Sequence, residues 1–191
     1  GDMGRRALQT VPPVFDLVGF SMGGYVAREI LRQEPDRVAG LILIATSARG
    51  DNEVQARRKA ALAGQTEASA FRGLSASAIS SSLHPDSVDR ADLIASIQSM
   101  SQRLGGGVFR RQSLLERRDE RDVLYGIPCP ALVVAGSFLG LRSQAEAREL
   151  HEGIAGSDFV VIEGTGHMIP LEAPDRLAEV MSRWIAGNRL S

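Results

Sequence analysis

The chain has 191 residues, of which 43% are hydrophobic and 24% charged, and its formal net charge is −1. This composition excludes collagen-like, disulfide-framework and disordered classes. A near-neutral charge gives no basic field for nucleic acid, so we expect no such partner. No apolar stretch approaches the roughly 20 residues of a membrane span, and the single cysteine, Cys129, permits no intramolecular disulfide. We therefore expect a cytoplasmic protein with one domain, residues 1–191, and no membrane partner.

Four short apolar runs, rich in Val and Ile and without alternation, predict strands that are buried on both faces. They are residues 14–19, 38–45, 131–136 and 159–163. Helical patterns separate the runs, at residues 22–33, at residues 143–154 and from Pro174 onwards. This alternation of strands and helices predicts an α/β fold with a mostly parallel sheet and flanking helices.

The interval between the second and third predicted strands is long and has no strand signal. Residues 50–125 are rich in Ala, Arg and Ser and are mostly helical in pattern. Asp89 is the expected N-cap of a helix that runs to Arg103, and the glycines at 105–107 are expected to end it. We interpret residues 50–125 as a helical insertion that forms a lid over one end of the sheet.

The sharpest motif is Gly19-Phe20-Ser21-Met22-Gly23-Gly24, which ends a predicted strand and begins a predicted helix. Gly-x-Ser-x-Gly in that context predicts a nucleophile elbow, a tight turn that holds the serine hydroxyl clear of the sheet. We expect side chains at positions 19 and 23 to collide there, which would explain both glycines. The Met22 amide and the dipole of the following helix would stabilise an oxyanion. The alternatives are a plain glycine-rich turn and a phosphate loop, but the spacing fits neither the P-loop nor the dinucleotide fingerprint.

An activated serine needs a base, and the chain has three histidines. His84 precedes a proline in the insertion, and His151 lies among charged residues of a predicted helix, so structural roles suit both better than catalysis. His167 follows the fourth predicted strand in a glycine-rich loop, at the edge where open α/β sheets bind ligands. The chain order, with serine early and histidine last, also fits. We therefore predict that Ser21 is the nucleophile and His167 the base.

These motifs together resemble the α/β-hydrolase fold family, in its group of single-domain esterases, enol-lactonases and cofactor-free haloperoxidase-like proteins. The matching stretches are residues 15–24, 35–44, 128–136 and 164–175. The resemblance implies hydrolysis of carboxylic esters through an acyl-enzyme on Ser21, with no metal or cofactor. The implied substrates are small acyl esters or lactones, and the lid would shape the acyl pocket. A perhydrolase that uses peroxide is an alternative activity within the same family.

The chain departs from the family at the catalytic acid. In the family this residue normally follows the third strand seen here, in a Gly-x-x-Asp pattern, but the chain has Leu139 there. No carboxylate occurs between Gly136 and Glu146, and loss of a triad acid typically lowers the rate by about 10⁴. Some members of the fold carry the acid after the preceding strand, where this chain has Asp51. The competing interpretation of Asp51 is a helix N-cap, and we favour it.

The family also has several strands before the elbow, whereas only 20 residues precede Ser21 here. The sequence is therefore a fragment or a shortened homologue, or it omits residues. The strand at 14–19 would then be an edge, and a homodimer that pairs two such edges would bury it. A non-catalytic binding or interaction module with a degraded site is the alternative to an esterase.

Overall fold

The structure is a computed structural model, and it describes residues 2–65, 71–138 and 144–188. Its strands form one sheet and are β1 (Phe15–Phe20), β2 (Val38–Ile44), β3 (Ala131–Gly136) and β4 (Asp158–Ile162). Neighbouring strands are parallel, in the order β1-β2-β3-β4. The predicted parallel sheet is therefore confirmed, and every strand end lies within one residue of its predicted position.

Helices precede, connect and follow the strands. They are α1 (Asp2–Leu8), α2 (Met22–Gln33), α3 (Glu53–Gln65), α4 (Ala76–Ser80), α5 (Ala91–Ser113), α6 (Gln144–Gly153), α7 (Ile169–Glu172) and α8 (Pro174–Asn188). The helices predicted between the strands and at the end of the chain correspond to α2, α6 and α8. Within the described ranges, no helix combines the length and the apolar character that crossing a membrane requires.

The residues of β2 show how the sheet is buried. Leu41 and Leu43 contact the core on one face, which α2 and α6 cover. Ile42 and Ile44 contact the core on the other face, to which α8 contributes Leu177. Both faces of the strand are therefore covered, which explains why its sequence shows no polar alternation.

The described part of the insertion between β2 and β3 is mainly helical, but the predicted start of its long helix is wrong by one residue. Arg90, and not Asp89, is the N-cap of α5, and Arg90 pairs with Asp92 in the first turn. Gly105 has a φ of 77° and a ψ of 158°, so the first helical segment of α5 ends there, as expected, and a second segment continues to Ser113. Glycine tolerates this positive φ without the strain that a side chain would add.

Asn52 caps α3, so the interpretation of Asp51 as the N-cap is wrong by one residue. Oδ1 of Asn52 accepts a hydrogen bond from the Gln55 N–H at 2.8 Å. In return, Oε1 of Gln55 accepts one from the Asn52 N–H at 3.0 Å. This reciprocal pair is a capping box, and it leaves the Asp51 carboxylate to other partners.

Candidate active site

Ser21 occupies the turn between β1 and α2 with a strained backbone. Its φ is 51° and its ψ is −114°, a conformation that residues other than glycine rarely adopt. The backbone N–H of Ser21 donates to the Ile44 carbonyl at 2.9 Å, and Oγ1 of Thr46 donates to the Ser21 carbonyl at 2.7 Å. The end of β2 therefore holds the turn in the geometry of a nucleophile elbow.

Two of the three glycines in this turn lie too close to neighbouring atoms to carry a side chain. A Cβ on Gly19 would lie 2.7 Å from the Cα of Gly24, and a Cβ on Gly24 would lie 2.3 Å from Oγ1 of Thr46. A Cβ on Gly23 would meet nothing within 4 Å. The expected collision is therefore confirmed at Gly19 and wrong at Gly23, because the second close approach joins Gly24 to the end of β2.

His167 lies in the loop after β4, at the same carboxyl edge of the sheet as Ser21. Its Nε2 lies 2.9 Å from Oγ of Ser21, although the two residues are 146 positions apart. Its Nδ1 is buried, and its ring centroid lies 5.3 Å from that of Phe20. The structure thus brings together the serine and the histidine that the sequence paired.

Met22 begins α2, so its backbone N–H is the first of that helix. The first N–H groups of a helix have no acceptor within the helix, and the helix dipole places partial positive charge there. Because Ser21 immediately precedes this helix end, a negative oxygen bonded to Oγ of Ser21 would form beside these N–H groups.

The other histidines have local contacts. Nδ1 of His84 accepts from the Asp86 N–H at 3.2 Å and caps a short turn. Nδ1 of His151 lies 2.9 Å from Oγ of Ser157, and its ring stacks on Phe159. Within the part of the chain that the structure describes, neither ring is hydrogen-bonded to Ser21.

Asp51 lies at the base of the insertion. Its Oδ2 accepts from Nζ of Lys59 at 2.5 Å and from the backbone N–H of Arg117 at 3.3 Å. Nζ of Lys59 also donates to the Leu115 carbonyl at 2.5 Å. Among residues 2–65, 71–138 and 144–188, these bonds tie the two ends of the insertion together, and none joins Asp51 to His167.

Leu139, at the expected position of the acid, lies outside the described residues. The segment just before it contacts the loop of His167. Oγ of Ser137 accepts from the Gly164 N–H at 3.0 Å, and the Phe138 N–H donates to the Thr165 carbonyl at 3.1 Å. The end of β3 and the histidine loop are therefore neighbours.

Sequence reasoning missed Thr46 and Glu172, which both support the site. Thr46 is 2% exposed. The second glycine of the Gly23-Gly24 pair indicates in the sequence that another residue packs closely there, but not which residue it is. Glu172 binds the backbone of the histidine loop. In the sequence, nothing separates it from an ordinary acidic residue of a surface helix.

Comparisons with known proteins identify the family of the chain. A sequence model described as the alpha/beta hydrolase family matches residues 2–180. The pimeloyl-[acyl-carrier protein] methyl ester esterase of Neisseria meningitidis serogroup B is 28% identical over 180 residues, which are 91% of this chain and 69% of that protein.

Solved structures show the same fold. A thermophilic esterase from Thermogutta terrifontis is 30% identical, with a TM-score of 0.84, and the match covers 97% of this chain and 69% of that one. The enol-lactonase from Burkholderia xenovorans LB400 is 23% identical, with a TM-score of 0.75 and coverage of 91% and 66%. The second likeness concerns the fold alone. With nearly its whole length matched by the family model, the chain belongs to the alpha/beta hydrolase family.

Proposed function

We propose that the chain hydrolyses carboxylic esters, with Ser21 as the nucleophile and His167 as the general base. The observation that carries this proposal is the 2.9 Å distance between Oγ of Ser21 and Nε2 of His167 at a strained turn. Membership of a hydrolase family supports the reaction class, and so do the relatives that are named esterases. The substrates are small acyl esters or lactones, and the chemistry uses no metal or cofactor.

The first half of the reaction forms an acyl-enzyme. Nε2 of His167 accepts the proton of Ser21 while Oγ attacks the ester carbonyl carbon. The carbonyl oxygen becomes an oxyanion that the Met22 N–H and the N-terminus of α2 stabilise. His167 then donates its proton to the departing alcohol, and the acyl group remains on Oγ.

The second half releases the acid. His167 accepts a proton from a water molecule, which attacks the acyl carbonyl and forms an oxyanion in the same position. When this intermediate collapses, His167 returns the proton to Oγ of Ser21 and the carboxylic acid leaves. The same pair of side chains therefore serves both halves.

Leu139 occupies the acid position in this proposal, so the enzyme works below the rate of a complete triad. The support is the absence of a carboxylate between Gly136 and Glu146 in the sequence. Asp51 is the other candidate for the acid. Its hydrogen bonds with Lys59 and Arg117 favour a structural role at the base of the insertion instead.

A non-catalytic binding module is the second candidate function, and Leu139 is the observation that favours it. Against it stands the strained backbone of Ser21, because strain of this kind persists where the surrounding structure and a function maintain it. Ester hydrolysis is therefore the preferred function.

The Ser21→Ala variant tests the choice between these functions. We expect the wild-type chain to hydrolyse p-nitrophenyl butyrate and to react covalently with a fluorophosphonate, and Ser21→Ala to lose both. Ser182→Ala, which changes an exposed serine of α8, is the matched control and should retain both. A folded wild-type chain with neither activity would support the binding module, and an active Ser21→Ala would reject Ser21 as the nucleophile.

The insertion acts as a lid that selects the acyl group in this proposal. Its apolar core, which includes Ile79 and Leu83, packs against Met168 and Leu171 beside His167. The neisserial relative is named for a methyl ester of an acyl chain on a carrier protein, so methyl esters belong among the substrates to test. Rates for acetate, butyrate and octanoate esters of p-nitrophenol, a methyl ester and a lactone would define the preference. Equal rates throughout would contradict a selective lid.

We also propose a homodimer in which β1 pairs with β1 of a second copy. In the described sheet β1 lies at one edge. Val18 of this strand is 44% exposed, and Val14, just before it, is 60% exposed. An exposed apolar edge strand is a template for further pairing, and a two-fold dimer closes it. Light scattering on the mass-verified chain should give twice the chain mass, and a monodisperse monomer would reject the dimer.

A cytoplasmic location completes the proposal. Cys129 is the only cysteine, so the chain forms no intramolecular disulfide, as is usual in a reducing compartment. Burial raises the pKa of the Cys129 thiol, which makes it a weak nucleophile. Cell fractionation should place the protein in the cytoplasmic fraction with one reduced thiol per chain, and recovery from an oxidising compartment would contradict this.

A further inference from the structure

The loop that carries His167 is held against the insertion as well as against the sheet. The backbone N–H of His167 donates to the Ser82 carbonyl at 2.8 Å. A Cβ on Gly166 would lie 2.6 Å from the backbone N of His84 and 2.6 Å from the carbonyl carbon of Leu83. Residues 82–84, which we name the clamp segment, therefore touch the backbone of the loop that positions the proposed base.

One carboxylate joins these two backbones. Oε1 of Glu172 accepts from the His84 N–H at 2.7 Å, and Oε2 accepts from the Gly166 N–H at 2.9 Å. Hydrogen bonds to an ionised acceptor are roughly twice as strong as neutral ones. Because each oxygen binds a different backbone, the side chain sets the separation between the clamp segment and the histidine loop.

The position of Glu172 is itself fixed by the short helix α7. Its backbone N–H donates to the Met168 carbonyl at 2.9 Å. Ile169, at the start of α7, is fully buried, and Leu171 packs on the core of the insertion. The carboxylate therefore extends from a backbone that is anchored on both sides.

We propose that Glu172 is a positioning residue for His167, which it holds at Ser21 through the clamp segment. This inference rests on the proposed hydrolysis by Ser21 and His167. Glu172 acts through the backbones of Gly166 and His84 and does not touch the substrate. A displacement of about 1 Å in a catalytic group can lower a rate by 10²-fold, and Leu139 in the acid position leaves the orientation of His167 more dependent on its backbone.

The test compares Glu172→Gln and Glu172→Ala with Glu163→Gln. Gln keeps one acceptor oxygen and Ala keeps none, so kcat for p-nitrophenyl butyrate should fall about 10-fold in the first and about 100-fold in the second. KM should stay within about two-fold, because the substrate does not contact Glu172. Glu163 is an exposed carboxylate of the same loop, and its neutralisation should leave kcat and KM unchanged.

A second pair of variants addresses the clamp segment without changing Glu172. His84 has a φ of −63°, which proline can adopt, so His84→Pro replaces the N–H that Glu172 binds with a ring carbon and displaces the carboxylate from the clamp segment. His84→Ala keeps this N–H. We expect kcat to fall further in His84→Pro than in His84→Ala, and equal values would overturn the role of the clamp segment.

A purely structural role for Glu172 would lower the melting temperature and leave kcat of the folded fraction unchanged, and that result would overturn the proposal. Hydrogen exchange of residues 163–168 gives a readout that does not depend on activity. Exchange should rise in both Glu172 variants and not in Glu163→Gln, and unchanged exchange would reject the clamp. A wild-type chain that is inactive but shows this pattern would reject the proposed hydrolysis, and with it the catalytic part of the inference, while the clamp itself would stand.

Discussion

The nucleophile elbow and the base of the insertion are held together by different forces. At the elbow, neutral hydrogen bonds from the Ser21 N–H and the Thr46 hydroxyl fix the turn, and glycines allow the backbones to touch. At the base, charged side chains hold the segments together. The ion pairs there include Lys59–Asp51, Arg49–Glu149, Arg121–Glu149, Arg121–Asp119 and Arg28–Glu120.

This difference predicts which perturbations each region resists. Packed backbones respond to added volume, because protein interiors contain few voids, and respond little to salt. Exposed ion pairs tolerate changes of volume but weaken with salt and at low pH. Two pairs at the base are exceptions because they are largely buried. The side chain of Asp51 is 9% exposed. Arg28 is 6% exposed and donates to the Ser47 carbonyl at 2.9 Å.

The variants with the largest expected effect test whether Asp51 belongs to the base of the insertion or to the active site. Leu139→Asp should raise kcat by tens-fold or more, because a triad acid orients the histidine and stabilises its charged form. Asp51→Asn should change kcat little, since its partners are Lys59 and Arg117. Asp119→Asn, at another carboxylate of the base, is the matched control in the same p-nitrophenyl butyrate assay. Loss of activity in Asp51→Asn, together with no gain in Leu139→Asp, would move Asp51 into the site.

Substitutions of two adjacent glycines test the packing of the elbow, and we expect a smaller effect from them. Gly24→Ala places a methyl group against the stiff side chain of Thr46 and should destabilise the protein by about 1–3 kcal/mol. Gly23→Ala meets open space and lies in a helix, so it should be neutral or stabilising by up to about 1 kcal/mol. Urea unfolding of the two variants measures the difference. Equal free energies of unfolding would show that the close approach of Gly24 to β2 does not constrain the turn.

The smallest effect concerns the ion pairs at the base. Hydrogen bonding to Arg49 lowers the pKa of Glu149, and hydrogen bonding to Arg121 lowers the pKa of Asp119 to about 2. A carboxylate whose pKa is depressed in the folded state stabilises the protein above its unfolded pKa, and this contribution is lost as the pH falls through the folded value.

Unfolding at pH 7 and at pH 3 should therefore show less dependence on pH in Glu149→Gln than in the wild type. At pH 7 and low salt, we expect the free energy of unfolding of Glu149→Gln to be lower than that of the wild type by about 0.2–1 kcal/mol. The difference should be smaller in high salt. Glu152→Gln, on the same helix, is the control and should behave as the wild type does. An identical pH dependence in Glu149→Gln and the wild type would mean that these pairs contribute nothing to stability.

Some features of the site could be predicted because their requirements are local. The elbow needs a strand, a glycine at position 19 and a helix that begins after Ser21, and all three lie within a few neighbouring residues. The explanation of Gly23 is wrong because the close approach is between Gly24 and Thr46, which lies just after a different strand. No local pattern indicates which of two adjacent glycines meets a distant side chain.

The sequence by itself determined the fold class and the pairing of Ser21 with His167. Apolar runs separated by helical patterns define a parallel sheet, and residues that follow parallel strands must meet at one edge. Only the tertiary structure decided what the carboxylates do. Asp51 could cap a helix, pair with a cation or orient a histidine, and Glu172 could have been an ordinary surface residue. A carboxylate accepts hydrogen bonds from any donor, so its role depends on the N–H and ammonium groups that folding brings within about 3 Å.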